Sequence, residues 1–320
     1  MGVKFQILLD RPENGVYVSG ESVSGTVYYY VDEQTTFKSA KFYFFGKLKG
    51  NNDKKETDYD LIRKEDFIAL ETNILPENTT LPAEAYEHSF NYILPDELPS
   101  TFRDKTCTVS YKISVWFKEP GNFGDKATHA ETEIPVYGKV KPLLDQPLEF
   151  QWTKSPFTAS TEMRLVLQPE KTFLKAGENI KLEYKITNTT KIPISSIQTK
   201  IVSETIYKYD KKSKNVQKTI IEKSEMESEG VAANSEAAIH CIVPTLPNLY
   251  SIQHSKLFSR EYKVIVTAVL PFPHRNILME IPVAIEAGEV LDIEVNGKLI
   301  KMGFIPYVTS ILRNFTYLYT

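Results

Sequence analysis

The sequence predicts an all-β protein made of two tandem β-sandwich domains, and three observations carry that prediction. The chain has 320 residues, too many for one ordinary sandwich and suited to two domains of roughly 100 to 200 residues each. Short runs rich in Val, Ile, Tyr, Phe and Thr alternate with Gly, Pro, Asn and Asp at the spacing of immunoglobulin-like sandwiches. Three short anchors then recur in the same order in the two halves, which composition alone does not produce.

In the first half, Val3 to Leu9, Val23 to Val31, Phe37 to Leu48, Thr106 to Phe117 and Thr128 to Tyr137 read as strands. In the second, the strands are Glu162 to Leu167, Asn179 to Thr187, Ile194 to Tyr209, Val216 to Met226, Glu236 to Val243, Glu261 to Leu270 and Ile277 to Ile285. No sustained helical periodicity occurs before residue 300, so helix should be scarce.

The first anchor is Gly20-Glu21-Ser22-Val23 against Gly177-Glu178-Asn179-Ile180, where Gly supplies a positive φ for a turn that launches a strand. The second is Ile93-Leu94-Pro95, Leu98-Pro99 and Tyr111 to Val115, against Ile242-Val243-Pro244, Leu246-Pro247 and Tyr262 to Val266. The third is Glu133-Ile134-Pro135-Val136 against Glu280-Ile281-Pro282-Val283, and Pro within a strand implies an edge or a bulge. These matches place one sandwich at 1–147, a linker at 148–154, a second sandwich at 155–288 and a tail at 289–320. The run Lys141 to Pro147, bounded by prolines, should be extended and stiff.

Composition excludes several classes. Hydrophobic residues at 42% and charged residues at 25% are those of a globular chain, which argues against a disordered or fibrous one. A formal net charge of -3 argues against a general nucleic-acid partner, since that role needs an excess of Lys and Arg to displace counterions. Two cysteines, Cys107 and Cys241, fall one in each half, so no disulfide framework is expected and a cytoplasmic location is. No run approaches the ~20 apolar residues of a membrane span.

Chemistry-bearing constellations are sparse, and neither an enzyme nor a cofactor is predicted. His88, His129, His240, His254 and His274 are scattered without the paired Cys and His spacing of a zinc site. His240 and Cys241 are neighbours on a strand and so point to opposite faces, which makes Cys241 a small core residue. Glu65 and Asp66 read as a solvated loop or edge.

Two segments stand out as interaction candidates. Lys208, Lys211, Lys212, Lys214 and Lys218, with Lys223 beyond them, surround a hairpin tip between two strands. They could meet acidic headgroups of an anionic membrane surface or a phosphorylated tail, each charge near a membrane contributing ~1 kcal/mol. They could equally form a solvated hairpin whose lysines discourage edge-to-edge aggregation. The tail carries the hairpin signal Asn296-Gly297, and Val308, Ile311, Leu312, Phe315 and Tyr319 follow helical spacing. That amphipathic segment could serve a membrane or partner, or fold back on the second domain.

The segment Val16 to Val27, the run Tyr92 to Phe102 followed by Val109-Ser110-Tyr111, and Lys175 to Ile180 leading to Ile186-Thr187-Asn188 together resemble the α-arrestin family, the arrestin-domain-containing proteins. The likeness covers nearly all of residues 1 to 288. It implies two arrestin-type sandwiches and a cytosolic, non-enzymatic adaptor that binds cytoplasmic tails of membrane proteins for ubiquitylation, endocytosis or endosomal sorting. It brings no catalytic residues. Many α-arrestins recruit ligases of the ubiquitin machinery through Pro-Pro-x-Tyr motifs that dock in polyproline conformation. This sequence contains no Pro-Pro dipeptide, so the resemblance implies indirect recruitment, for instance through another arrestin. A retromer-type arrestin-fold sorting subunit is the alternative.

Overall fold

The computed structural model describes all residues except 1, 13–14, 51–63, 122–123, 144–147, 155–160, 168–171, 209–213, 222, 289–290, 296–297 and 303–320. Strands dominate it, and no helix occurs among the described residues. Two compact units emerge, the first containing Met1–Lys139 and His254–Leu257, the second Val140–Gln253 and Phe258–Gly288.

The first unit runs β1 (Val3–Leu9), β2 (Tyr17–Val18), β3 (Ser22–Val31), β4 (Thr35–Phe37), β5 (Ser39–Gly50), β6 (Glu65–Leu75), β7 (Thr79–Leu81), β8 (Ala85–Ile93), β9 (Phe102–Arg103), β10 (Cys107–Glu119), β11 (Lys126–Ile134) and β12 (Val136–Tyr137). One sheet has the order β1-β3-β8 and the other β11-β10-β5-β6, with β9 on β10. Strand β5 shows why these residues pair as they do. Ala40, Phe42, Phe44 and Leu48 alternate with half-buried Lys and aromatic residues, so one face of the pleat is apolar and turns inward. The sheets are joined by rings. Phe117 of β10 lies 5.0 Å from Phe5 of β1 and 5.0 Å from Tyr29 of β3, while Phe42 meets Phe90 at 4.8 Å and Phe44 meets Tyr92 at 5.0 Å. Tilted and edge-on pairs at such spacings add to the area they bury.

The second unit runs β13 (Leu148–Lys154), β14 (Thr161–Leu167), β15 (Phe173–Lys175), β16 (Ile180–Asn188), β17 (Ile194–Lys208), β18 (Lys214–Ile220), β19 (Met226–Val231), β20 (Ser235–Val243), β21 (Phe258–Val269) and β22 (Ile277–Glu286). Its sheets have the orders β13-β14-β16-β20 and β15-β22-β21-β17-β18, with β19 also on β17. The core here is aliphatic, built on Ile180, Leu182, Ile197, Ile201, Val243, Val264, Val266, Ile281 and Val283. Residues 148–154, expected as a linker, instead form β13, because Leu148 to Lys154 pairs throughout with Leu167 to Thr161. Beyond this unit, β23 (Leu291–Val295) and β24 (Lys298–Met302) pair with Val295 opposite Lys298, the hairpin that Asn296-Gly297 signals.

The internal repeat is physical, and its devices are shared bond for bond. Gly20 and Gly177 both adopt positive φ, +83° and +86°. After each, a glutamate closes the turn: Val18 donates its N–H to the Glu21 carboxylate at 2.9 Å, and Lys175 donates to Glu178 at 2.9 Å. A second device is reciprocal. Thr101 donates its N–H to the Val136 carbonyl at 2.7 Å while Val136 donates to the Thr101 hydroxyl at 2.9 Å. Ser251 and Ile285 repeat this at 2.7 and 3.0 Å.

The third device is a buried tyrosine. The Tyr111 hydroxyl donates to the Pro99 carbonyl at 2.6 Å, and Tyr262 hydrogen-bonds the backbone of Tyr250, each twelve residues back. Burial pushes both phenols above their ordinary range. The register corrects one equivalence. Tyr111 faces Ile134 and Tyr262 faces Val283, so Pro135 corresponds to Ala284, and the Ile-Pro-Val match of the sequences is two residues out of step. Consistently, β11 ends before Pro135, whereas Pro282 lies inside β22.

Replacing Tyr111 by Phe should destabilise the first unit by about 1 to 3 kcal/mol, the penalty of a buried carbonyl left without its donor. Gly46→Ala should also be destabilising, because a Cβ there would come within 2.6 Å of the Tyr111 ring. Equilibrium denaturation of both variants measures this, and wild-type stability in both would show that neither contact matters.

Candidate functional site

The lysine-rich hairpin is formed by β17 and β18, whose register puts Lys208 directly opposite Lys214. Neither makes an ion pair with a described residue. Like charges placed directly across a ladder repel, so among the described residues this pair makes a positive site at the end of the two strands. Lys211 and Lys212, expected to share in it, lie outside the described residues. Strand β18 is exposed over most of its length.

Lys218, expected in the same anion-binding group, also pairs with a carboxylate of the sheet. Its Nζ lies 2.7 Å from Glu204 Oε1, while Lys263 Nζ lies 3.0 Å from Glu204 Oε2 and 3.1 Å from Glu280 Oε2. The physical reason is register: Glu204 stands opposite Lys218 on β18, and Lys263 of β21 reaches it diagonally. Four side chains thus form a ladder across β18, β17, β21 and β22. The Glu204 side chain is only 8% exposed. Burial pushes its carboxyl up, but hydrogen bonds from Lys218 and Lys263, together with their charges, outweigh that and hold it below the usual carboxylate range. Of this ladder only Lys218 was singled out in the sequence, and Glu204, Lys263 and Glu280 were not. The available signal was a lone Glu sharing a strand face with Val202 and Ile206.

Elsewhere on the outer face of this sheet lies a cavity of about 300 Å³, lined by Gln198, Thr199, Lys200, Glu225, Met226, Glu227 and Thr267. It sits where β18 gives way to β19 along β17. That handover is fixed by Ser224, whose hydroxyl accepts the Ile201 N–H at 3.0 Å and donates to the Ile221 carbonyl at 2.7 Å.

Other sequence candidates fall as follows. Among the described residues no group of three or more His, Cys, Asp or Glu could hold a metal ion. Cys107 and Cys241 are buried thiols outside any disulfide, and Cys241 belongs to the aliphatic core. His240 is exposed on the opposite face. His129 stacks on Trp116, the ring centres 4.2 Å apart. Glu65 begins the edge strand β6 and accepts from the Ser255 hydroxyl at 2.6 Å and from the Lys256 amide at 3.1 Å, so it has a structural partner. The tail residues Val308, Ile311, Leu312 and Phe315 lie outside the described residues. No helix among the described residues is long and apolar enough to cross a membrane.

Comparison with known families gives two matches. Residues 5–141 match the family model described as Arrestin (or S-antigen), N-terminal domain, and residues 161–289 match Arrestin (or S-antigen), C-terminal domain. No curated protein matches the chain.

The Glu204 ladder sets a pH dependence. A carboxylate whose folded pKa is depressed contributes stability that is present above its unfolded pKa of about 4.3 and is lost as pH falls through the lower, folded value. Wild-type protein should therefore lose more stability on acidification than Glu204→Gln, and Glu204→Gln should be the less stable at neutral pH. Denaturant midpoints at neutral and acidic pH test both statements, and parallel curves would assign Glu204 no role.

Proposed function

The chain belongs to the arrestin family, and on that premise we propose that it acts as a non-enzymatic adaptor of the α-arrestin type in membrane-protein trafficking, binding cytoplasmic tails of membrane proteins for ubiquitylation, endocytosis or endosomal sorting. The observation that carries this reading is the pair of matched arrestin domains in tandem, together covering most of the chain. Arrestin domains support a trafficking or adaptor role in general. Such a role needs surfaces, not a reaction centre, and this protein has them in its strand edges and hairpin tips, which suit recognition by strand addition or by charge.

The Lys208 and Lys214 pair, without an ion-pair partner among the described residues, is the part of the basic hairpin best placed to meet an anionic membrane surface or an acidic tail. Lys211 and Lys212 extend the same basic run in the sequence, and Val308, Ile311, Leu312 and Phe315 are proposed as a further membrane or partner contact. A ubiquitin ligase would be reached indirectly, through another arrestin, because the sequence holds no Pro-Pro dipeptide. The same observation favours one second reading, a retromer-type arrestin-fold sorting subunit. The proposed place of work is the cytoplasm, peripheral to the plasma membrane or endosomes.

Affinity capture of the tagged full chain from cells, followed by mass spectrometry, separates these readings. Membrane proteins with long cytoplasmic tails, together with ligase or endosomal components, are expected. Recovery of retromer subunits in stoichiometric amounts would favour the second reading, and recovery of neither class would overturn both.

A further inference from the structure

Strand β19 and the cavity beside it form a site with a chemistry opposite to that of the lysine hairpin. Strand β19 pairs only with β17 among the described residues, and its other edge pairs with no described strand. Four of its six residues are exposed, so that edge is open to an incoming backbone. Glu225, just before β19, and Glu227, within it, are two apart and so share the outer face. That face also carries Gln198 and Lys200 of β17 and Thr267 of β21, and together these residues line the cavity of about 300 Å³.

The charges there are unevenly matched. Among the described residues Lys200 is the one cation lining the cavity, and its Nζ stands 4.0 Å from Glu225 Oε1, at the limit of an ion pair, with the Glu225 side chain 67% exposed. Among the described residues Glu227 has no cationic partner. Hydrogen bonds from Ser196 and Gln198 hold its carboxyl below the usual range, and the Gln198 amide donates at 3.3 Å. The cavity therefore carries net negative charge with its acceptors held in place. Met226, between the two glutamates, also lines it and is 41% exposed.

We propose that an extended, basic peptide segment adds along the free edge of β19, placing a Lys or Arg opposite Glu227 with its aliphatic stem laid along the strand. Strand addition supplies main-chain hydrogen bonds that tolerate many sequences, and the carboxylates select the charge. A cation directly across a ladder from a carboxylate is the favourable cross-strand arrangement, and a long basic side chain buries its stem while keeping its head at the polar surface. The proposal rests on the adaptor reading for its biological source. Cytoplasmic segments of membrane proteins are enriched in Lys and Arg close to the membrane, so a juxtamembrane stretch of a bound tail has the required chemistry. The basic hairpin cannot take such a segment, because Lys208 and Lys214 would repel it.

The test uses the purified full chain and two fluorescein-labelled decapeptides, one alternating Arg with Leu and one alternating Glu with Leu, read by fluorescence anisotropy at low salt. The Arg peptide should bind and the Glu peptide should bind more weakly at this site. Glu225→Gln combined with Glu227→Gln should weaken the Arg peptide by at least about fivefold, the scale of two lost cross-strand charge pairs. Because Glu227 also holds Ser196 and Gln198, Glu225→Arg alone is the second variant, and it should weaken binding with the wild-type unfolding transition retained. Lys208→Ser with Lys214→Ser should leave Arg-peptide binding intact. Absent binding to wild type, or binding unaffected by both Glu variants, overturns the proposal. These measurements need no cellular partner, so they can fail while capture still recovers membrane proteins, and they can succeed when it does not.

Discussion

A buried tyrosine hydroxyl that must find an acceptor organises each half of this molecule. Burying a hydroxyl without a partner costs several times what a satisfied hydrogen bond contributes. Tyr111 is fully buried, so its ring fixes three things together: the Pro99 carbonyl it bonds, the glycine at 46 that leaves room for it, and the loop that brings Thr101 to Val136. Once Val136 is held, β12 lies parallel to β2, and the Gly20-Glu21 turn follows from β2 into β3. Tyr262, Ser251, Ile285 and Gly177-Glu178 repeat that chain of dependence in the second unit, where β15 lies parallel to β22. The duplication is thus preserved as a set of polar devices at one end of each sandwich.

The cores behind those devices have diverged, and this shows which features the fold requires. The first unit fills its interior with interlocked rings such as Phe117, Phe37 and Tyr29, and the second with Ile, Val and Leu. Either filling satisfies a sandwich, since volume and alternation matter more than identity. What differs most is the outer surface of the larger sheet. In the first unit it carries stacked pairs, Trp116 on His129 and Tyr43 on Phe45, and in the second it carries the Lys218, Glu204, Lys263 and Glu280 ladder. A scaffold that keeps its turns and varies its faces is suited to binding, where the surface sets the partner.

Much of this was legible in the sequence where the signal is local. The Gly-Glu turns, the alternation of β1, β5, β10 and β17, and the Asn-Gly hairpin each depend on a few adjacent residues. Strands β6 and β8 were missed because they are edge strands with mixed faces. Ala85 to Ile93 alternates between exposed and half-buried positions and lacks the β-branched run that marks an interior strand. Strand β13 was missed for a different reason, since its neighbourhood of prolines reads as a linker until a pairing partner exists. The two-residue slip in the Ile-Pro-Val comparison has a related origin. Sequence likeness matched the prolines, whereas the fold conserves the residue whose N–H meets a hydroxyl, Val136 or Ile285. Glu204 was invisible because its significance comes from β18 and β21, strands distant from it or across a hairpin.

The ladder around Glu204 also divides the outer face of the second unit by charge. Along β17, Lys208 marks a basic end and Gln198, opposite Glu227, an acidic one, separated by roughly 33 Å at about 3.3 Å per residue. Between them, Glu204 is shared by two lysines and Glu280 by one of those, so the middle offers no strong field of either sign. Neutralising the centre keeps the ends distinct, since an unpaired Lys218 or Lys263 would extend the basic region toward Glu225 and blur the gradient. An extended segment lying along this edge therefore meets opposite charges at its two ends and has one favoured direction. Strand addition by itself leaves parallel and antiparallel docking close in energy, because either satisfies the backbone. Here the charge order of the sheet supplies the polarity that the backbone lacks.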